Sequence, residues 1–222
     1  TASRRPVRLR STPSVERQPD ELSGSYASTM TLRFGTDGVR GPAGAELDGP
    51  AVRALGLAAA AHLNTDRVVV GRDTRQSGVE LMQALTEGLR TGGLEILSLG
   101  VAPTPAVAHM AKLEGAAGAV VSASHNPWTD NGVKLFGHGG RKLTDEIQTG
   151  VQADWEAFPR TEGPIHKPIS DDIEDCRWAD ALVTSVPSGA LSGMRLILDC
   201  ANGATSGIAA TVLARLDAEV SE

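Results

Sequence analysis

Residues 117–127 read A-G-A-V-V-S-A-S-H-N-P, five small or β-branched apolar residues running directly into a polar turn. An apolar run of that length, closed by turn formers, reads as a strand buried on both faces, as in a parallel sheet. In open α/β sheets, ligands bind at the C-terminal ends of such strands. Asn126-Pro127 favours a turn, which places Ser124 and His125 on a tight bend facing that crevice. Asn131-Gly132 is expected to make a second turn, with Lys134 just beyond it, able to bring a cation back towards Ser124. A hydroxyl, an imidazole and an ammonium at one point suit phosphoryl transfer, where positioning and charge neutralisation do most of the work. The same residues are also readable as an ordinary turn rich in turn formers. Ser124 is not set in a G-x-S-x-G elbow, and Gly71-Arg72-Asp73-Thr74-Arg75 lacks the G-K-[ST] ending of a Walker A loop.

Outward from this stretch, strand and helix patterns alternate. Asp48 and Pro50 sit where an N-cap and a first-turn proline belong, and Val52, Leu55, Ala59 and Leu63 follow at helical spacing. Residues 67–71 read as a short buried strand, and 78–90 as a helix with Val79, Met82 and Leu89 inward, ended by Gly92-Gly93. A strand at 94–99 and a helix at 105–113 lead to the 117–121 strand. Residues 133–136 then form a short strand or hairpin arm, and 144–158 a helix opened by Thr144, Asp145 and Glu146. Strands joined in this way by helices predict right-handed βαβ units, and hence a three-layer α/β/α fold with a mainly parallel sheet. After the proline-rich stretch 159–168 a second α/β unit begins: a helix at 171–186, a buried strand at 194–199 and a helix at 208–216. The chain then ends where another strand is due, so this unit reads as incomplete.

Composition agrees with layered α/β packing. Of the 222 residues 41% are hydrophobic but only 3% aromatic, and small side chains let layers approach closely. A net charge of −6 argues against a nucleic-acid partner, because phosphate neutralisation needs a basic surface. It leaves room for a local basic pocket. With only Cys176 and Cys200, a disulfide scaffold or structural zinc is not expected, and a reducing cytoplasm is the default location. The run from Leu55 to Leu63 is far short of a membrane span. Residues 1–29 differ from the rest: five arginines (Arg4, Arg5, Arg8, Arg10, Arg17) against three acids (Glu16, Asp20, Glu21) make them net +2 and leave −8 for the remainder. Rich in Pro, Ser and Thr, they read as a disordered leader or upstream sequence, with Met30 a plausible start. The expected divisions are therefore 1–29, 30–166 and 167–222.

Three glycine-rich places need separate readings. Phe34-Gly-Thr-Asp-Gly38-Val-Arg40-Gly41 exposes backbone amides and offers Arg40 as a forked cation for phosphate, though a structural turn fits as well. In Gly71-Arg72-Asp73-Thr74-Arg75, Arg72 and Asp73 are expected to pair internally. Gly137-His138-Gly139-Gly140 lacks nucleotide-loop spacing and reads as a mobile hairpin tip. His62, His109 and His166 have no neighbour at metal-ligand spacing.

Together, F-G-T-D-G-V-R-G, G-R-D-T-R, and S-A-S-H-N-P followed by D-N-G-V-K-L-F resemble the α-D-phosphohexomutase superfamily. Their wording is closer to its phosphoglucosamine mutase branch than to its phosphomannomutase/phosphoglucomutase branch. L-I-L-D-C-A-N-G-A-T at 196–205 resembles the start of the family's second domain. The resemblance implies a phosphoserine at Ser124 rather than Ser122, with phosphate passed to glucosamine 6-phosphate through a 1,6-bisphosphate and recovered from its other end. It further implies His125, Lys134 and Arg40 as catalytic residues, and Thr36 and Asn126 with Arg40 and Lys134 as phosphate or substrate ligands. Mg²⁺ would sit on the Ser124 phosphate, and glucose or glucosamine 1,6-bisphosphate would be the activator or intermediate. The family's D-G-D-x-D-R metal loop, its sugar-selecting loop and its distal phosphate loop are absent from these 222 residues. The chain therefore reads as part of a longer enzyme needing the remainder of domain II and domains III and IV, with negligible mutase activity alone. A non-catalytic fragment that keeps the fold is the competing class.

Overall fold

The structure is a computed structural model and describes residues 32–35, 37–161 and 177–221. The leader, Thr36, most of the 159–168 stretch, His166, Cys176 and the start of the 171–186 helix lie outside the described residues. The main sheet has six strands: β1 (Val39–Pro42), β2 (Arg67–Arg72), β3 (Glu95–Val101), β4 (Ala117–Val121), β5 (Asp130–Gly137) and β6 (Arg141–Lys142). Their order is β1-β5-β4-β2-β3, with β6 beside the far end of β5.

Helices cover both faces. On one lie α1 (Gly49–His62), α2 (Gly78–Thr91) and α4 (Asp145–Ala157); on the other, α3 (Thr104–Leu113). Side chains of a strand alternate between faces, and the valines of β2 divide accordingly. Val68 and Val70 join the α1/α2/α4 core, whereas Val69 joins the α3 core. The α/β/α layering is as expected. The sheet itself is mixed: β3-β2-β4 are parallel, and β5 runs antiparallel to β4, β1 and β6. The reason is local, since β5 follows β4 after a turn too short for a crossover helix.

Asn131-Gly132 is not a second turn. Both residues lie inside β5, because buried Asn131 donates to Ser77 Oγ (2.9 Å) and its own Oδ1 accepts from Gly132 N (2.8 Å). Val79 is 56% exposed rather than inward: it sits in the first turn of α2, to the side of the face that buries Leu81, Leu85 and Leu89. The Gly137–Gly140 stretch is a packed turn, not a free tip: Gly139 N donates to Ala116 O (2.8 Å), and a Cβ on Gly140 would lie 2.0 Å from Ala108 O.

Capping proceeds as the sequence expects. Asp48 Oδ1 accepts from Ala51 N (2.8 Å) at the start of α1, and Thr144 Oγ1 from Ile147 N (3.3 Å) at the start of α4. Buried Trp155 ties α4 to α1 by donating to Ala51 O (2.7 Å). The smaller unit holds α5 (Arg177–Thr184), β7 (Arg195–Ile197), α6 (Ala209–Arg215) and β8 (Glu219–Ser221), with β7 and β8 parallel. Its strand is not buried as expected. Ile197 is 92% exposed, because the described residues supply only a two-stranded sheet, with a core of Ala179, Val212 and Leu216.

Helices α1 and α2 meet glycine to glycine. A Cβ on Gly88 would lie 2.0 Å from Arg53 O, and one on Gly56 2.3 Å from Leu85 O. Backbone on both sides leaves nowhere for a methyl group to go. Gly88→Ala is therefore expected to destabilise the fold by about 1–3 kcal/mol in denaturant unfolding, despite alanine's better helix propensity.

Candidate functional site

The loops that follow β2, β3 and β4 leave the sheet at the same edge, as parallel strands require. They line a cleft of about 760 Å³, whose walls include Asp73, Arg75, Thr104, Ser122, Ser124 and His125. The smaller unit closes the other side with residues 201–205, and Thr74 Oγ1 donates across to Asn202 O (2.6 Å). Ser124 is exposed at this mouth, outside the core, with a left-handed backbone (φ +57°). That conformation is uncommon for a residue with a Cβ, so the surrounding loop must hold it there. His125 is also exposed, with Nδ1 3.4 Å from Ser124 Oγ.

Arg75 closes the serine loop from beneath. Its Nη1 donates to Pro127 O (2.5 Å) and Asp130 O (2.8 Å), its Nη2 to Ser124 O (3.0 Å) and Asn126 O (2.9 Å), and its Nε to Asp73 Oδ2 (3.0 Å). Asp73 is also reached by Ser122 Oγ (2.6 Å), which in turn accepts from Ser124 N (3.0 Å). The expected Arg72–Asp73 pairing is replaced by this arrangement. Arg72 donates to the Asp73 backbone carbonyl, and Arg75 takes the carboxylate. The reason is chain direction: an Asx-type turn, with Arg75 N on Asp73 Oδ1 (3.0 Å), folds Arg75 back over Asp73.

The antiparallel hairpin delivers the cations. Arg40 on β1 is in register with Gly132 on β5, and Lys134 lies two residues further on, so the two basic residues share one sheet face. Gly132 permits the crossing, since a Cβ there would lie 2.9 Å from Arg40 Cγ and 2.5 Å from Val39 O. Arg40 Nη1 reaches Asn126 Oδ1 (3.4 Å) on the serine loop, and Asn126 Nδ2 donates to Asp130 Oδ2 (2.9 Å). Lys134 Nζ pairs with Asp37 Oδ1 (3.2 Å) rather than with the serine loop itself. The hydrogen bond and charge of Lys134 hold the Asp37 carboxyl below its ordinary value of 3.8. Of the expected site residues, Ser124, His125 and Asn126 lie on the loop, Arg40 reaches it from β1, Lys134 stands on β5, and Thr36 lies outside the described residues.

Mg²⁺ takes about six oxygen ligands in near-octahedral geometry. Among the described residues no three His, Cys, Asp or Glu side chains gather as a metal-holding group. Near Ser124, the carboxylates of Asp73 and Asp130 are engaged by Arg75, Ser122 and Asn126. These residues do not by themselves make a Mg²⁺ site. The reading of G-R-D-T-R as a closed internal pair missed Arg75; the signal the sequence carried was a second arginine two residues past Asp73, just beyond the neighbouring strand. Among the described residues no helix is long and apolar enough to cross a membrane.

Fold and loop together define an α/β/α domain that presents a preset serine at the C-terminal edge of its parallel strands. The chain belongs to the phosphoglucomutase/phosphomannomutase family: residues 31–159 match the model of its alpha/beta/alpha domain I. It is 42% identical over 201 residues to a phosphoglucosamine mutase of Thermobifida fusca, covering 86% of this chain and 44% of the relative. It is 43% identical over 197 residues to one of Koribacter versatilis, covering 82% and 42%. Among solved structures, a putative phosphomannomutase from Thermus thermophilus superposes with a TM-score of 0.73 at 29% identity, covering 85% of this chain and 45% of that one. The chain thus spans less than half the length of the curated relatives it matches.

The Lys134–Asp37 pair has a defined pH dependence. Because the folded carboxyl titrates below its ordinary value, the pair's contribution is complete above pH 3.8 and is lost as pH falls through the lower folded value. NMR titration of the Asp37 carboxyl should show the depressed midpoint in the wild type and a return towards 3.8 in Lys134→Ala.

Proposed function

We propose that this chain carries the phosphoserine part of a phosphoglucosamine mutase, an intramolecular phosphotransferase that interconverts glucosamine 6-phosphate and glucosamine 1-phosphate. The carrying observation is the exposed Ser124 hydroxyl on a left-handed turn at the cleft mouth, its loop pinned at four carbonyls by Arg75. Phosphoryl transfer depends chiefly on holding a nucleophile in line and neutralising charge, and this loop offers both. The phosphoglucosamine mutase names of the relatives support the choice of sugar.

In this reading Ser124 carries a phosphate in the resting protein. The sugar's 1-hydroxyl attacks that phosphorus, the bond to Ser124 Oγ breaks, and a 1,6-bisphosphate forms as the hydroxyl proton leaves. After the bisphosphate turns over, Ser124 Oγ attacks the 6-phosphate, the bond to the sugar oxygen breaks, and the 1-phosphate departs. Arg40 and Lys134 neutralise phosphate charge and assist proton movement at the attacking hydroxyl. His125 and Asn126 orient the phosphate, with Thr36 a further ligand. Mg²⁺ would be the cofactor and glucose or glucosamine 1,6-bisphosphate the activator or intermediate, and the metal's ligands beyond the Ser124 phosphate would be donors other than those described here. A cytoplasmic location fits such a substrate.

Mannose or glucose phosphate is the second reading, and the name of the Thermus thermophilus neighbour, a putative phosphomannomutase, favours mannose within it. Intact-mass measurement after incubation with each sugar bisphosphate tests the proposal. One added phosphate is expected on the wild type, none on Ser124→Ala, and fastest loading from the glucosamine compound. Equal loading of Ser124→Ala would overturn the phosphoserine assignment, whereas preference for mannose or glucose bisphosphate would move the protein to the second reading. Complete turnover of glucosamine 6-phosphate by the 222 residues alone is expected to be negligible.

A further inference from the structure

We propose that Arg75, Asp73 and Ser122 form a positioning unit that selects Ser124 over Ser122 as the phosphate carrier, and that Arg75 does so without touching phosphate. This rests on the phosphoserine reading above and adds how the nucleophile is chosen and held. A guanidinium has five N–H donors and no acceptor. All five of Arg75's are assigned within 3.0 Å: four to the carbonyls of Ser124, Asn126, Pro127 and Asp130, and one to Asp73. No donor remains for an incoming phosphate, although the residue lines the cleft. Its side chain is 11% exposed, and its charge is met by Asp73, which is 16% exposed.

The same inventory separates the two serines. Ser122 spends its one proton on Asp73 and accepts from Ser124 N. A phosphate on Ser122 would set a dianion against the Asp73 carboxylate, 2.6 Å from the present oxygen, and would remove the acceptor that Ser124 N uses. Ser124 Oγ carries no such obligation: its contact is the His125 ring at 3.4 Å. The left-handed backbone at Ser124 is unfavourable for a residue with a Cβ, and the carbonyl clamp on one side with the Ser122 oxygen on the other holds it there. Lysine cannot replace Arg75, since its ammonium has three donors and no planar fork.

The test follows phosphate uptake by the 222-residue chain from a hexosamine 1,6-bisphosphate, measured by intact mass against time and donor concentration. In Arg75→Lys the maximal uptake rate should fall by about 100-fold, the effect of a misplaced reacting group, while the half-saturating donor concentration changes little. Arg75→Ala should regain part of its rate with millimolar guanidinium, which lysine side chains or salt would not reproduce. Ser122→Ala, a deletion of one oxygen that leaves the core untouched, should slow uptake by about tenfold and still load a single phosphate. An unchanged rate in Arg75→Lys, or a raised half-saturating concentration at an unchanged rate, would overturn the positioning role, the latter by making Arg75 a phosphate ligand. Loss of loading in Ser122→Ala with Ser124 intact would overturn the choice between the serines. Absence of uptake by the wild type would instead sink the phosphoserine reading, and this inference with it.

Discussion

A guanidinium whose five N–H groups all go to protein acceptors is an unusual thing to place beside a ligand cleft, and the shape of the serine loop depends on it. Four carbonyls from residues 124, 126, 127 and 130 converge on one cation, which offsets the repulsion between their like dipoles. Charge-assisted bonds of this type are roughly twice as strong as neutral ones. The cation is anchored by Asp73, whose backbone N–H bonds Val121 O at the end of the neighbouring strand. Sheet register therefore passes directly into loop geometry.

The mixed sheet serves the same end. Parallel strands bring the loops after β2, β3 and β4 to one edge, where the cleft forms. The antiparallel β5 returns from the serine loop across the sheet and accepts β1 on its outer side, which sets Arg40 and Lys134 on a common face. Glycine is required where these chains touch. A Cβ on Gly38 would lie 2.1 Å from Val133 O, and Gly38 itself has φ +83°, so only glycine fits the approach of the first loop to β5. Lys134 emerges beneath that crossing and meets Asp37.

Much of this is legible in the residues themselves. Asp48, Pro50 and Thr144 announce helix starts because capping is a local interaction, and the apolar runs of β2 and β4 announce buried strands because both faces are covered. The exposed Ser124 follows from turn chemistry at Asn126-Pro127 together with the family resemblance. What escapes is whatever depends on partners distant in sequence. The place of Asn131 inside β5 depends on Ser77, and the packed turn at Gly140 depends on Ala108. Arg75 escapes for the same reason, since its acceptors lie about fifty residues away. Ile197 shows the converse error: an apolar strand pattern implies burial only when the covering layer is at hand.

The account turns on which oxygen holds the phosphate. Fragmentation mass spectrometry on chain exposed to a hexosamine 1,6-bisphosphate would localise the group within the Ser122–Ser124 peptide. Phosphate on Ser124, and on Ser124 still when residue 122 is alanine, is the predicted result. Phosphate on Ser122, whose proton the structure directs to Asp73, would contradict the arrangement at its centre.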